Sequence, residues 1–446
     1  MKVLLSLPDK SGLLDSVQVI ETIPNISLAY LGSALKREGF EVRIVNPMKT
    51  DLFKAVENFS PDVIGFSAYT EEVKSAARTA LKIKKDFPEK LIVLGGAHAS
   101  SLPERTLNEF SGFDACVVGE GEIPLVRIAK GDKFEDIDGL AFRRDGKMVY
   151  NPPLYVKDLD ALPFPDWALF DLDSYRGEYT DHVRPFRKQL ELPVSASRGC
   201  PFNCSFCFNI SKNYRARSAE NVFEELRRNV KVLGAKRIQF VDPTFGVDKR
   251  QTEKLCSTLV ESGLGKRFEW FAGTRVELAS KDFMENVKKA GCSNLFIGVE
   301  SGDQSILNGF KRGVTTHQIR KVFENAGKVG LNTHASFIFG LPGETLESAK
   351  RTVEFAKSLN TRFAVFSILT PYPGTKVFDL AGTFDWDLFG KESGRALKEG
   401  VLSAEELKSF QTLAYKEFYK RPDRALFLLR TLGFRKFFSN VKESLL

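Results

Sequence analysis

The stretch Leu192-Pro-Val-Ser-Ala-Ser-Arg-Gly-Cys200-Pro-Phe-Asn-Cys204-Ser-Phe-Cys207 decides how the rest of the chain is read. Val194–Ser197 reads as a short buried strand, and three cysteines at C-x3-C-x2-C spacing follow it on one loop. Thiolates this close in sequence can converge on one soft metal centre. Cubane iron–sulfur clusters are held by cysteine thiolates, and three ligands leave one iron open to an exogenous ligand. A zinc site is the alternative, but no fourth Cys or His lies nearby, and the next cysteine is Cys256.

Toward the C-terminus, further strands are expected at Arg237–Val241, Glu269–Gly273, Leu295–Val299, Ala335–Phe339 and Ala364–Leu369, with helices between them. Ser218 caps one helix whose Val222, Phe223, Leu226, Val230 and Leu233 share a face before Gly234. Six strand–helix units over residues 191–375 predict a partial (β/α)6 TIM-like barrel, with chemistry at the strands' carboxyl ends. Residues 376–446 read as a small, mostly helical C-terminal region. Toward the N-terminus, Lys2–Leu7, Glu41–Val45, Asp62–Ser67, Leu91–Leu94 and Ala115–Val118 read as buried parallel strands, because their apolar residues run together. Ser27–Glu38 is a helix closed by Gly39. Residues 1–130 therefore predict a doubly wound, flavodoxin- or Rossmann-like α/β domain whose ligand lies beyond the strand ends. Residues 131–190 hold a hairpin turning at Asp145-Gly146 and the extended connector Asp158-Leu-Asp-Ala-Leu-Pro-Phe-Pro-Asp166.

Composition agrees with an ordinary globular protein. The 446 residues are 43% hydrophobic and 27% charged, which excludes global disorder and collagen-like structure. No apolar run reaches the ~18–20 residues of a membrane span, so the expected location is the cytoplasm. Six cysteines are too few for a disulfide scaffold of this length. A net charge of +8 is too mild to indicate nucleic acid.

The later strand ends carry Val241-Asp-Pro-Thr-Phe245, Gly273-Thr-Arg-Val276, Ile297-Gly-Val-Glu-Ser301, Phe337-Ile-Phe-Gly-Leu-Pro-Gly-Glu-Thr345 and Thr370-Pro-Tyr-Pro-Gly-Thr375. With the cysteine loop in front of them, in this order, they resemble the radical SAM superfamily over roughly residues 190–375. That resemblance implies a [4Fe–4S] cluster on Cys200, Cys204 and Cys207, whose fourth iron chelates S-adenosylmethionine, with Phe206 as the usual aromatic before the last cysteine. It further implies contacts to the methionine amino group near Asp242, to its carboxylate at Arg275, to ribose along Gly298, Glu300 and Ser301, and to adenine at Gly340 and Pro342, with Tyr372 ending the sixth strand. Alternatives remain for single residues: Asp242 could cap a helix, Arg275 could pair with a carboxylate, and Gly-Leu-Pro-Gly could be only a turn.

Phe66-Ser-Ala-Tyr-Thr70, Leu94-Gly-Gly-Ala-His98, Val118-Gly-Glu-Gly-Glu122 and Pro24-Asn-Ile-Ser27 sit where the N-terminal crevice belongs. A nicotinamide fingerprint fails, since Pro124 occupies the place of the third glycine. Taken with the barrel, this half resembles the cobalamin-binding domain of class B cobalamin-dependent radical SAM methyltransferases. The resemblance implies cobalamin contacts at Ser67, Thr70, Gly95, Gly96, His98, Gly119, Glu120, Gly121 and Glu122. Families that ligate cobalt through histidine carry D-x-H-x-x-G, whereas Val45-Asn-Pro-Met-Lys49 has no histidine, so base-off cobalamin without a histidine ligand is expected. His98 could instead make a structural hydrogen bond, and the whole half could be a flavodoxin-like domain without a cofactor.

Together these features imply a radical SAM enzyme that cleaves S-adenosylmethionine to a 5′-deoxyadenosyl radical and methylates an unactivated carbon through methylcobalamin. Alternatives are radical cyclisation, rearrangement or carbon–carbon bond formation with the same cofactors, or a non-catalytic iron–sulfur redox sensor. The resemblance implies a flavodoxin or ferredoxin donor and a small-molecule substrate, while a roomy cavity and the basic, apolar tail permit a lipid, a tetrapyrrole or a natural product; no catalytic acid or base is assigned. Arg421–Leu446 mixes basic residues with Phe and Leu, and reads either as a peripheral membrane contact or as a packed terminal helix with a basic outer face.

Overall fold

Val3, Leu4 and Leu5 are all buried, so the first strand needs cover on both faces, the condition for a parallel sheet between helical layers. The computed structural model describes residues 1–9, 23–178, 188–310, 313–390, 394–398 and 402–426. In it β1 (Lys2–Ser6), β2 (Glu41–Val45), β3 (Val63–Ser67), β4 (Leu91–Gly95) and β5 (Ala115–Val117) pair in parallel in the order 2-1-3-4-5. One face packs Leu4, Ile64, Phe66, Ile92 and Leu94 against the helix Val73–Asp86; the other packs Val3, Leu5, Val63 and Val93 against Leu28, Leu35, Leu125 and Ile128.

The hairpin does not stand apart from this domain. β6 (Leu140–Arg144) pairs antiparallel with β5, and β7 (Lys147–Tyr150) pairs with β6, so the sheet has seven strands. Leu140, Ala141 and Phe142 are buried against the sheet core, which explains why the hairpin docks. Asp145 (φ +50°) and Gly146 (φ +73°) give the two left-handed residues of the predicted tight turn.

The second sheet runs in chain order and all parallel: Glu191–Val194, Arg237–Phe240, Glu269–Arg275, Cys292–Glu300, Asn332–Phe339 and Phe363–Ile368. These six strands, with their outer helices, are the predicted partial barrel. The helix Ala219–Lys231 is capped by Ser218, which accepts from the Asn221 N–H. The first strand lies earlier than expected. Buried Glu191, which accepts from Arg237 Nε at 2.7 Å, replaces an apolar residue at its start and hides it from a hydrophobicity reading. Ser197–Arg198 belongs to a separate two-residue ribbon.

The C-terminal region also departs from expectation. Residues 376–390 form only the short 3₁₀ turns Phe378–Leu380 and Trp386–Phe389, and Ala381 bridges Leu397. Trp386, Phe389 and Ala396 complete the core of the N-terminal sheet, which ties that segment across the first domain. The helix Ala404–Tyr419 then packs on the sixth barrel strand. Most of the basic tail, from residue 427, lies outside the described residues. Arg424 is fully buried, donating to the carbonyls of Thr361, Lys357, Leu359 and Phe418, so it is no surface charge. Among the described residues, no helix is long and apolar enough to cross a membrane.

Candidate active site

The cysteine loop follows the first barrel strand and closes on itself. Its ends meet in the ribbon Ser197–Arg198 against Arg215–Ala216, with Arg198 directly opposite Arg215. Gly199 (φ +78°) is required there, since a Cβ would collide with the Asn213 carbonyl. Inside the loop, the Cys200 N–H donates to the Ser211 carbonyl at 3.2 Å and the Cys207 N–H to the Cys204 carbonyl at 3.3 Å. All three thiols are free. Cys200 Sγ lies 3.4 Å from Thr244 Oγ1, and Arg275 Nη1 donates to Cys204 Sγ at 2.9 Å.

Burial pushes the Cys207 thiol up to about 11, with repulsion from Cys204, Cys200 and Glu300 adding to it and Arg275 opposing. Among the described residues, no three His, Cys, Asp or Glu side chains gather at the spacing of a single-ion site. Three soft thiols without a fourth protein ligand fit a cluster with one open iron better than tetrahedral zinc.

The residues expected to contact S-adenosylmethionine divide into two groups. Arg275 packs on the cluster loop, stacked over the Phe202 ring at 4.1 Å, and pairs with the Glu277 carboxylate at 2.5 Å. Glu300 has φ +72° where the ladder to the next strand is irregular, between Gly298 and Glu300. A non-glycine residue in that conformation is strained, and such strain concentrates at functional sites. Gly340 (φ +85°) is held in its turn by Glu344, which accepts from the Gly340 N–H at 2.5 Å and which burial raises to about 7. Pro342 lies within that turn. Gly273, in the third strand, leaves open space where a Cβ would project.

The other group faces inward. Asp242 caps no helix: its carboxylate accepts from the Ala196 N–H at 3.1 Å and from Ser197 Oγ at 2.5 Å, bracing the root of the cysteine loop. Burial raises it to about 6, against those hydrogen bonds. Ser301 is fully buried and bonds to Thr352 at 3.0 Å. Phe206 packs with Ile306, Leu341, Leu369 and Val377. Tyr372 packs against the core of the N-terminal domain.

A cavity of about 440 Å³ opens where the carboxyl ends of both sheets meet, within the size range of cofactor sites. Ser67, Gly95, Gly96, Gly119, Glu120, Gly121 and Glu122 line it from the first domain. Ser195, Ser197, Arg198, Phe208 and Arg215 line it from the barrel side. A Cβ on Gly121 would stand 3.0 Å from Leu31, and one on Gly96 2.7 Å from the Ala68 carbonyl, so neither position has room for a side chain. Thr70 and His98 do not line it. They bond to each other at 3.3 Å, and His98 meets the edge of Trp386 at 5.0 Å, the structural reading of that histidine.

Glu120 and Glu122 line the cavity, but their carboxylates turn to the barrel. Arg215 donates to Glu120 at 2.7 and 3.0 Å, and Arg198 donates to Glu122 at 2.6 Å. Burial alone would raise the Glu120 carboxyl, yet Arg215 and Arg198 hold it below the usual range. Tyr30 joins the same wall: its hydroxyl accepts from Arg217 at 3.3 Å, beneath Arg198. Sequence reasoning missed Arg198, Arg215 and Tyr30. The signal available was a pair of arginines flanking the cysteine loop, matched by two glutamates in Val-Gly-Glu-Gly-Glu.

Comparison with known proteins matches the same two halves. Residues 194–356 match the family model of the radical SAM superfamily, and residues 16–129 match that of the B12 binding domain. An uncharacterised methyltransferase of Pyrococcus horikoshii is 33% identical over 95% of this chain and 93% of its own. The anaerobic magnesium-protoporphyrin IX monomethyl ester cyclase of Cereibacter sphaeroides is 28% identical over 93% of this chain and 70% of its own. Among solved structures, the radical S-adenosylmethionine methyltransferase TsrM of Kitasatospora setae superposes with a TM-score of 0.67 at 20% identity, covering 84% of this chain and 74% of that one. With both domain models in sequence along one polypeptide, and a relative one-third identical over nearly its whole length, the chain belongs to the cobalamin-binding radical SAM enzyme family.

Proposed function

We propose that the protein methylates an unactivated carbon of a small-molecule substrate. The observation that carries this reading is the shared cavity, walled on one side by the glycine-rich strand ends of the B12-binding domain and on the other by the root of the cysteine loop. When bound, the cluster with S-adenosylmethionine supplies a 5′-deoxyadenosyl radical, and cobalamin supplies the methyl group. The chain's own task is to hold these centres within reach of one carbon and to keep water away.

Cys200, Cys204 and Cys207 would hold the cluster. Arg275, beside Cys204, would take the methionine carboxylate, and the turn at Gly340 with the backbone near Gly298 and Glu300 would contact the nucleoside. Ser67, Gly95, Gly96, Gly119 and Gly121 would bear the corrinoid. The cobalamin would be base-off and without a histidine ligand, since the end of the second strand reads Val45-Asn-Pro-Met-Lys49 where histidine-ligating families carry D-x-H-x-x-G. An external low-potential donor of flavodoxin or ferredoxin type, a cytoplasmic setting and a peripheral membrane contact through residues 421–446 belong to the same reading. Similar curated proteins include the hopanoid C-3 methylase of Methylococcus capsulatus, 27% identical, which supports carbon methylation.

The test is anaerobic. The reconstituted protein is loaded with cobalamin, reduced to cob(I)alamin and given methyl-labelled S-adenosylmethionine without substrate. Label in methylcobalamin, with equivalent S-adenosylhomocysteine, is the expected result. Unmethylated cobalamin with accumulating 5′-deoxyadenosine would replace methylation by a cyclase-like reaction.

A further inference from the structure

Arg198 and Arg215 stand opposite one another on the ribbon that closes the cysteine loop. Like charges directly opposite on paired strands destabilise the pairing, so the neck of this loop is not self-sufficient. The balancing charge comes from the other domain. Glu120 takes two bonds from Arg215, at 2.7 and 3.0 Å, and lies 3.4 Å from Arg198, which bonds Glu122 at 2.6 Å. The connector enters the same knot: the Val156 N–H donates to Glu120 at 3.0 Å, and Arg215 donates to the Val156 carbonyl at 2.5 Å. All four charged side chains are at most 18% exposed, so salt screens them little. Both glutamates belong to the turn whose Gly119 and Gly121 line the cavity.

We propose that Glu120 and Glu122 are positioning residues that latch the neck of the cysteine loop to the cavity wall, so that a corrinoid in the cavity orders the loop that carries the cluster. The latch rests on the ion pairs alone; the identity of the occupant rests on the function proposed above. One turn does both jobs, its backbone facing the cavity and its carboxylates facing the loop. Whatever fixes the turn therefore fixes residues 199–214. By linkage, an ordered loop favours the occupied cavity equally.

Hydrogen exchange on the full-length protein tests this without turnover. Glu120→Gln keeps the shape and removes the charge, leaving two buried guanidinium groups short of a partner. Amide exchange in residues 199–214 should rise roughly tenfold, the scale of one charge-assisted hydrogen bond, while the helices Ala219–Lys231 and Lys249–Glu261 keep wild-type rates. Hydroxocobalamin should slow exchange in 199–214 of the wild type, and Glu120→Gln should bind it more weakly and, when saturated with it by absorbance, show no such protection. Wild-type exchange in the variant, or cobalamin-dependent protection that survives the substitution, overturns the latch. Glu122→Gln, which removes only the Arg198 bond, gives the same comparison should Glu120→Gln fail to fold. A wild type that does not retain hydroxocobalamin overturns the functional reading instead, and the cobalamin-free arm still decides the latch.

Discussion

Asp242 and His98 are buried groups whose ionisation pulls stability in opposite directions over the same pH range. Burial raises Asp242 to about 6, so it favours the folded state below its ordinary value near 4 and loses that contribution as pH rises through 6. Burial lowers His98 to about 4, with Arg105 adding to it and Glu109 opposing; its contribution is present above about 6.5 and is lost as pH falls through 4. Each displacement is worth about 3 kcal/mol. Relative to wild type, Asp242→Asn should therefore lose ground by that order as pH falls from 7 to 4, and His98→Phe should gain. Thermal melts of the three proteins at pH 4, 5.5 and 7 check both signs. Parallel pH curves for wild type and Asp242→Asn would mean that the carboxylate at the root of the cysteine loop is not desolvated.

At the scale of elements, the segment after the barrel acts as a strap. Trp386 is 1% exposed, donates from Nε1 to Glu109 at 2.7 Å and covers His98, while Lys74 pairs with Asp385 and Asp387. Trp386→Ala should cost ~3–5 kcal/mol, the range for a large aromatic removed from a core. Its signature is faster exchange in β4 and the helix Val73–Asp86 with the barrel unchanged; loss spread evenly over both domains would show that the strap is no part of the first core. The sequence hid this strap, because Thr383-Phe-Asp-Trp-Asp387 has neither helical nor strand periodicity and its partners lie about 280 residues away. The parallel strands were legible for the opposite reason: local runs such as Leu91–Leu94 are apolar on both faces. At the site, the glycines at strand ends were readable from their need for close backbone approach. The side-chain pairing of Glu120 and Glu122 was not, since only the docking of two domains brings Arg198 and Arg215 to them.

At the scale of the whole molecule, three parts meet at Gly374. It has φ +78°, and a Cβ there would lie 2.7 Å from the Phe208 ring and 3.2 Å from Ser101 Cβ. Phe208 follows Cys207 and lines the cavity, Ser101 ends the helix Ala97–Ser101 of the first domain, and Gly374 closes the sixth barrel strand's terminus. Gly374→Ala therefore carries two penalties, the left-handed backbone at about 1–3 kcal/mol and a collision that must move Phe208. Gly330 separates them: its φ is +71°, nothing lies within 4 Å of its Cβ position, and it ends a helix at the amino end of the barrel strands. Both alanine variants should melt earlier, Gly374→Ala by the larger amount. Only Gly374→Ala should also lose bound iron and bound cobalamin after anaerobic reconstitution, because only there does the added methyl group push on the wall between the cluster loop and the cavity. Equal cofactor loading in the two variants would show that the cysteine loop yields at Phe208 without disturbing either site, and that domain docking is not what sets their spacing.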